Sequence, residues 1–187
     1  MKYQTSKFCI QGGSILLPDG GIQETDILIS DGKIDAIGSS PNKTVKKLNA
    51  SGYMVLPGIV DLHGDAFERQ IMPRPGVSFP LTLAFLDTDR QLVANGITTA
   101  YHGITYSWEP GLRGRETVTK VMTALKNVSK RLGADTKCHL RFETFNFAAG
   151  DEVLNWILDR NIDFLAFNNH LPSIRKKIQE NQSLSKF

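Results

Sequence analysis

Between Leu56 and Val77 the chain gathers residues able to hold a divalent cation and to meet an anion. The apolar run Met54-Val55-Leu56-Pro57-Gly58-Ile59-Val60 leads into Asp61-Leu62-His63-Gly64-Asp65, followed by Glu68-Arg69 and Met72-Pro73-Arg74-Pro75-Gly76. Such a run predicts a short buried strand. Period-two alternation then sets Asp61, His63 and Asp65 on one face. An imidazole and a carboxylate two residues apart at a strand end can reach one divalent ion together. The implied chemistry is metal-assisted, with charged groups beyond the strand for an anionic substrate.

Two further segments offer the same kinds of donor. In Cys138-His139-Leu140-Arg141-Phe142-Glu143, alternation puts His139, Arg141 and Glu143 on one face of a strand. Three polar groups on a buried face cost several kcal/mol each if left unpaired, so they need one another, a metal or a ligand. Glu143, nearest the carboxyl end, is the candidate metal ligand; Arg141 is placed to orient it or to meet substrate, and His139 reads as structural. Phe164-Leu165-Ala166-Phe167-Asn168-Asn169-His170 delivers another imidazole to a strand end, and His170 joins the candidate ligands. Ile97-Thr98-Thr99-Ala100-Tyr101-His102-Gly103 also ends near a histidine, but without a metal-type partner, so His102 is expected on the substrate side. Arg69, Arg74, Arg113 and Arg115 follow strand ends in Gly- or Pro-bearing loops, where guanidinium groups suit phosphate. Arg74, held between two prolines, ranks first among them.

The elements that must position these groups fall into two stretches. Residues 8–56 read as short β segments with a hairpin at Asp31-Gly32, a break at Gly12-Gly13 and a polar loop from Pro41 to Lys47. From Pro57 on, β-like segments (58–65, 97–103, 138–143 and 162–169) alternate with amphipathic stretches. Helices are expected over 83–94, through the periodic series Val118, Val121, Met122, Leu125, Val128 and Leu132, and over 152–160. Strand–helix alternation predicts α/β architecture with a parallel sheet. About four βα units are counted, against the roughly 250 residues of a complete (β/α)₈ barrel. The expectation is an incomplete TIM-type barrel over 57–187 with a small β-sandwich segment over 1–56. The 187 residues are 41% hydrophobic and 22% charged with a net charge of +3, an ordinary globular balance. The scattered basic residues exclude a nucleic-acid arm. The two distant cysteines exclude a disulfide framework and favour a reducing compartment. Neither a secretory leader nor a membrane span is read, so a soluble, cytoplasmic protein is expected.

Asp31-Gly32-Lys33-Ile34 followed by Leu56-Pro57-Gly58-Ile59-Val60-Asp61-Leu62-His63 resembles the entry into the amidohydrolase superfamily, enzymes with a small β-sandwich beside a metal-bearing (β/α)₈ barrel. His63-x-Asp65 stands where His-x-His is usual. With Phe67-Glu68, Pro73-Arg74-Pro75, Asn95-Gly96-Ile97-Thr98-Thr99, His139-Leu140-Arg141-x-Glu143 and Asn169-His170-x-Pro172, the chain is similar to the α-D-ribose 1-methylphosphonate 5-triphosphate diphosphatases of the carbon–phosphorus lyase pathway. The resemblance implies a hydrolase that releases pyrophosphate from a ribose phosphonate triphosphate. It implies His63 and Asp65 on one metal, Glu143 bridging or binding, and His170 on the other site. Zinc suits such mixed donors, with manganese or iron as alternatives. Arg69, Arg74, Arg115, Arg141 and His102 are left to contact the anionic substrate. The general-base Asp is expected beyond residue 187. The chain alone is therefore expected to be incomplete and inactive, and either to self-associate or to need a missing C-terminal half. Two alternatives stand beside this: a non-catalytic fragment or scaffold, and an amidohydrolase acting on C–N bonds.

Overall fold

A computed structural model describes residues 7–39 and 45–179. The chain divides into two compact units, Met1–Pro57 and Gly58–Phe187. In the first, strands β1 (Phe8–Leu16), β2 (Ile22–Ser30), β3 (Lys33–Ile37), β4 (Lys46–Asn49) and β5 (Met54–Val55) join one sheet in the order β3-β2-β1-β4, with β5 also on β1. The β2–β3 hairpin turns at Asp31 and Gly32, both with positive φ (54° and 72°), as the Asp-Gly pair requires. Gly12-Gly13, expected as a break, is instead a bulge inside a single strand, where the register slips between Ile10 and Gly13. A Cβ on Gly13 would lie 2.6 Å from Val55, so the absent side chain lets β5 close on β1. The polar loop expected through Lys47 lies partly outside the described residues. Lys46 and Lys47 themselves pair with Phe8 and Cys9 in an edge strand, where exposed lysines deter further pairing.

The second unit is a parallel sheet of β6 (Ile59–Gly64), β7 (Ile97–Tyr106), β8 (Asp135–Glu143) and β9 (Phe164–Asn168), in that order. Helices α1 (Ala66–Ile71), α2 (Leu81–Ala94), α3 (Arg115–Val128), α4 (Gly150–Leu158) and α5 (Leu171–Gln179) fill the connections. Phe67 and Ile71 of α1, Phe85 of α2, Val118, Val121 and Leu125 of α3 and Val153 of α4 share one core with Ile104, Tyr106, Cys138, Leu140 and Phe142 of the sheet. The helices thus cover one face and leave the other free, as in half of a (β/α)₈ barrel. The short α1 was not legible in the sequence, and α5 replaces the patternless tail as far as Gln179; residues 180–187 lie outside the described residues. No described helix is long and apolar enough to cross a membrane.

Two buried polar groups fix this unit. Asp89, on α2, accepts hydrogen bonds from the Gly133 and Ala134 amides at 2.9 Å and so ties the helix to the entry of β8. His102 is 2% exposed and packs edge-on against Phe67 and Phe85, at centroid distances of 5.4 and 5.5 Å. Burial pushes its pKa down to about 4, against the opposing pull of Asp61 and Asp89.

Replacing Asp89 with Ala leaves two amides unpaired and is expected to cost about 2 kcal/mol, read as a lower urea midpoint. His102 is neutral when folded and accepts a proton near its ordinary value when unfolded. Protons therefore favour the unfolded chain between the ordinary value of 6.5 and about 4. Stability is expected to fall as pH drops through that window, and a His102→Gln variant should lose that part of the slope in urea titrations run at each pH.

Candidate functional site

The free face of the parallel sheet is built chiefly by β8. Cys138, Leu140 and Phe142 enter the helix-side core, so His139, Arg141 and Glu143 point the other way. Their register partners continue the same face: Gly103 and Thr105 on β7, and Phe164, Ala166 and Asn168 on β9. Parallel βα folds place their chemistry at the carboxyl ends of such strands, and Glu143 and Asn168 are the last residues of theirs.

His139 is 2% exposed, and its Nδ1 lies 2.9 Å from the Leu62 carbonyl. A carbonyl only accepts, so Nδ1 carries the proton of the neutral ring and Nε2 keeps its lone pair. That Nε2 is buried without a partner among the described residues. Burial lowers the pKa of His139, and the neighbouring His63 and Arg141 lower it further, while the Leu62 bond opposes them. The His63 ring stands edge-on to it at 5.0 Å. Arg141 Nη1 donates to Thr105 Oγ1 at 3.4 Å, and its Nε is buried and unpaired. Glu143 is 3% exposed; Oε1 accepts from His170 Nδ1, and Oε2 has no partner. Asn168, opposite Glu143 in register, likewise leaves Nδ2 unpaired.

Of the expected ligands the structure brings Glu143 and His170 together, while His63 stands beside His139, which was not among them. Among the described residues no group of three His, Cys, Asp or Glu side chains is close enough to hold one ion. Asp65 departs from the expected common face. β6 ends at Gly64 after an irregular register, and Asp65 takes φ −113°, ψ 2° before α1, so period two does not reach it. His139, expected to be structural, has the tautomer and the free nitrogen of a ligating imidazole. The signal was in the sequence: it shares the free face with Glu143, four residues away.

The expected substrate contacts separate in the same way. Arg141 lies on the free face. His102 does not: alternation gives that side of β7 to Gly103 and turns His102 beneath Phe67 and Phe85. Arg115 is committed to Glu152, which it meets through Nε at 2.9 Å, while Tyr106 Oη donates to the same carboxylate at 2.9 Å. Arg69 and Arg74 are exposed, on α1 and in the turn after it. Glu68, on α1, has its pKa raised by burial, against the pull of Arg113 and Arg141 and with the push of Asp65.

Comparison with known proteins adds to this geometry. No protein-family model matches the chain. It is 30% identical over 118 residues to the alpha-D-ribose 1-methylphosphonate 5-triphosphate diphosphatase of Escherichia coli K12, covering 62% of this chain and 31% of that protein. It is 27% identical over 146 residues to the allantoinase of Bacillus licheniformis, covering 78% of this chain and 30% of that one. Among solved structures, that of molinate hydrolase superposes with a TM-score of 0.50 at 16% identity, over 75% of this chain and 30% of the other, a likeness of fold. The chain thus spans about a third of the length of these relatives. A half-barrel with imidazole and carboxylate on its free face is thus similar, along most of its length, to hydrolases of the amidohydrolase superfamily.

Proposed function

We propose that the chain carries part of the active centre of a metal-dependent hydrolase of phosphonate metabolism, one that removes pyrophosphate from a ribose 1-alkylphosphonate 5-triphosphate. The observation that carries this reading is the buried set on β8, an imidazole nitrogen, a guanidinium and a carboxylate oxygen on one face, each with an unpaired atom. Imidazole and carboxylate suit a divalent cation, zinc first, with manganese or iron as alternatives. The guanidinium between them suits a phosphoryl group. The diphosphatase relative supports the same substrate class.

In this reading Glu143 and His139 would hold the cation, with His63 and His170 as further donors on the same side. When bound, the cation supplies Lewis acidity that acidifies water and offsets phosphoryl charge. The chain's own residues do the rest. The Leu62 carbonyl fixes the His139 tautomer, an outer partner of the kind that orients metal ligands. Arg141, held by Thr105, faces the charge that grows on the phosphoryl oxygens. The substrate is an anionic small molecule, with neither nucleic acid nor membrane as partner. Both thiols are free and buried, which accords with a cytoplasmic setting. The half-exposed apolar residues of β6 (Ile59, Val60 and Leu62) favour self-association of this chain. The allantoinase relative favours a second reading, hydrolysis of a cyclic amide at the same centre.

Titration calorimetry with zinc tests the centre. The wild-type chain is expected to bind zinc, and Glu143→Gln to bind it at least about tenfold more weakly, the loss that even an outer partner's removal causes. Equal affinities would remove Glu143 from the centre. Titration with inorganic pyrophosphate separates the arginines. Arg141→Ala should weaken binding by roughly tenfold or more, while Arg115→Ala, already engaged by Glu152, should leave it unchanged.

A further inference from the structure

The loops that leave β7 and β8 meet at the carboxyl end of the sheet through two aromatic rings. Trp108, two residues beyond β7, and Phe145, two residues beyond Glu143, stand with ring centroids 4.3 Å apart, tilted by 52°. Trp108 remains 51% exposed, an unusual position for an indole that has no need of water on its face. Beside each ring in sequence lies a buried polar side chain without a partner. Ser107 is 3% exposed with Oγ unpaired, and Asn146 is 8% exposed with Nδ2 unpaired. Both loops are held in place: the Ser107 amide donates to the Arg113 carbonyl at 2.9 Å, and the Asn146 amide donates to the Glu143 carbonyl at 3.0 Å. Such a loop pair is a positioned surface rather than a loose rim.

From the aromatic pair and its two flanking orphaned polar groups, we infer a subsite for the sugar ring of the substrate, one that takes its apolar C–H face on Trp108 and Phe145 and its hydroxyls on Ser107 Oγ and Asn146 Nδ2. Buried polar atoms without partners carry a desolvation cost, which a ligand hydroxyl removes. A partly exposed aromatic pair with unpaired polar side chains next to it in sequence has the make-up of a small-molecule site. The inference rests on the phosphonate reading above, because it names the part of that substrate which does not react. It concerns different residues from the metal centre, and its test needs no metal.

The chain has two tryptophans, and Trp156 packs against Tyr106 on the helix side. In a Trp156→Phe background the fluorescence reports Trp108 alone. Ribose 5-phosphate is expected to quench it saturably, and inorganic phosphate at the same concentrations is not. Adding Phe145→Ala should weaken the ribose 5-phosphate response about fivefold. Adding Ser107→Ala, which leaves both rings in place, should weaken it as well and stands in if Phe145→Ala shifts the unfolding midpoint. No saturable quench by ribose 5-phosphate, or an equal quench by phosphate alone, overturns the subsite. A quench by hydantoin but not by ribose 5-phosphate overturns the sugar assignment and favours the cyclic amide. If the subsite fails while zinc still binds through Glu143, the metal reading stands without it; if zinc binding fails while the quench persists, the subsite stands and the metal reading falls.

Discussion

The placement of polar groups on a strand buried on both sides governs this unit. β8 is covered by helices through Leu140 and Phe142, and on its other face it carries His139 and Glu143, each almost wholly shielded from water. Removing an imidazole or a carboxylate from water costs several kcal/mol unless something replaces the lost hydrogen bonds. The chain replaces only some of them. Leu62 answers one nitrogen of His139, His170 one oxygen of Glu143 and Thr105 one nitrogen of Arg141. The atoms left over all lie on one surface. A fold that served stability alone would have placed apolar side chains there, as it did on the opposite face.

That asymmetry explains why the two faces of one strand read so differently. On the helix side, volume decides: Leu140 is fully buried in the core to which the helices contribute. On the free side, donor type and direction decide, because register sets Asn168 opposite Glu143 and Thr105 opposite Arg141. The parallel register is thus as much a part of the site as the residues themselves. A slip of one residue would turn every one of them to the opposite face.

Much of this was legible in the sequence, because the alternation in Cys138–Glu143 allows only one sorting of its side chains. The apolar run before His63 gave a strand end, and the helical spacing from Val118 to Val128 gave α3 with its inward face. Other features were hidden for physical reasons. Asp65 looks like the next residue on the face of His63, but the strand ends one residue earlier, and composition does not mark that end. His102 seemed poised at a strand end because its partners, Phe67 and Phe85, arrive from helices far along the chain. Arg115 looked free because Glu152 is remote in sequence. The Gly12-Gly13 pair signals irregularity, but whether a chain bulges or turns there depends on strands that pair with it later. The stacked pair Trp108 and Phe145 has no local signature, since two loops must meet to make it.

One consequence follows from the way the loop after β7 is anchored. Its base is closed by the Ser107–Arg113 backbone bond, and just past it Arg115 and Tyr106 both grip Glu152 on α4. With its base and exit so fastened, the segment has little freedom to swing as a flap from the strand. The crest, residues 108–112, is what these bonds leave between two fixed ends. Trp108 thus stands at the rim on a frame fixed at both ends, a post rather than a door.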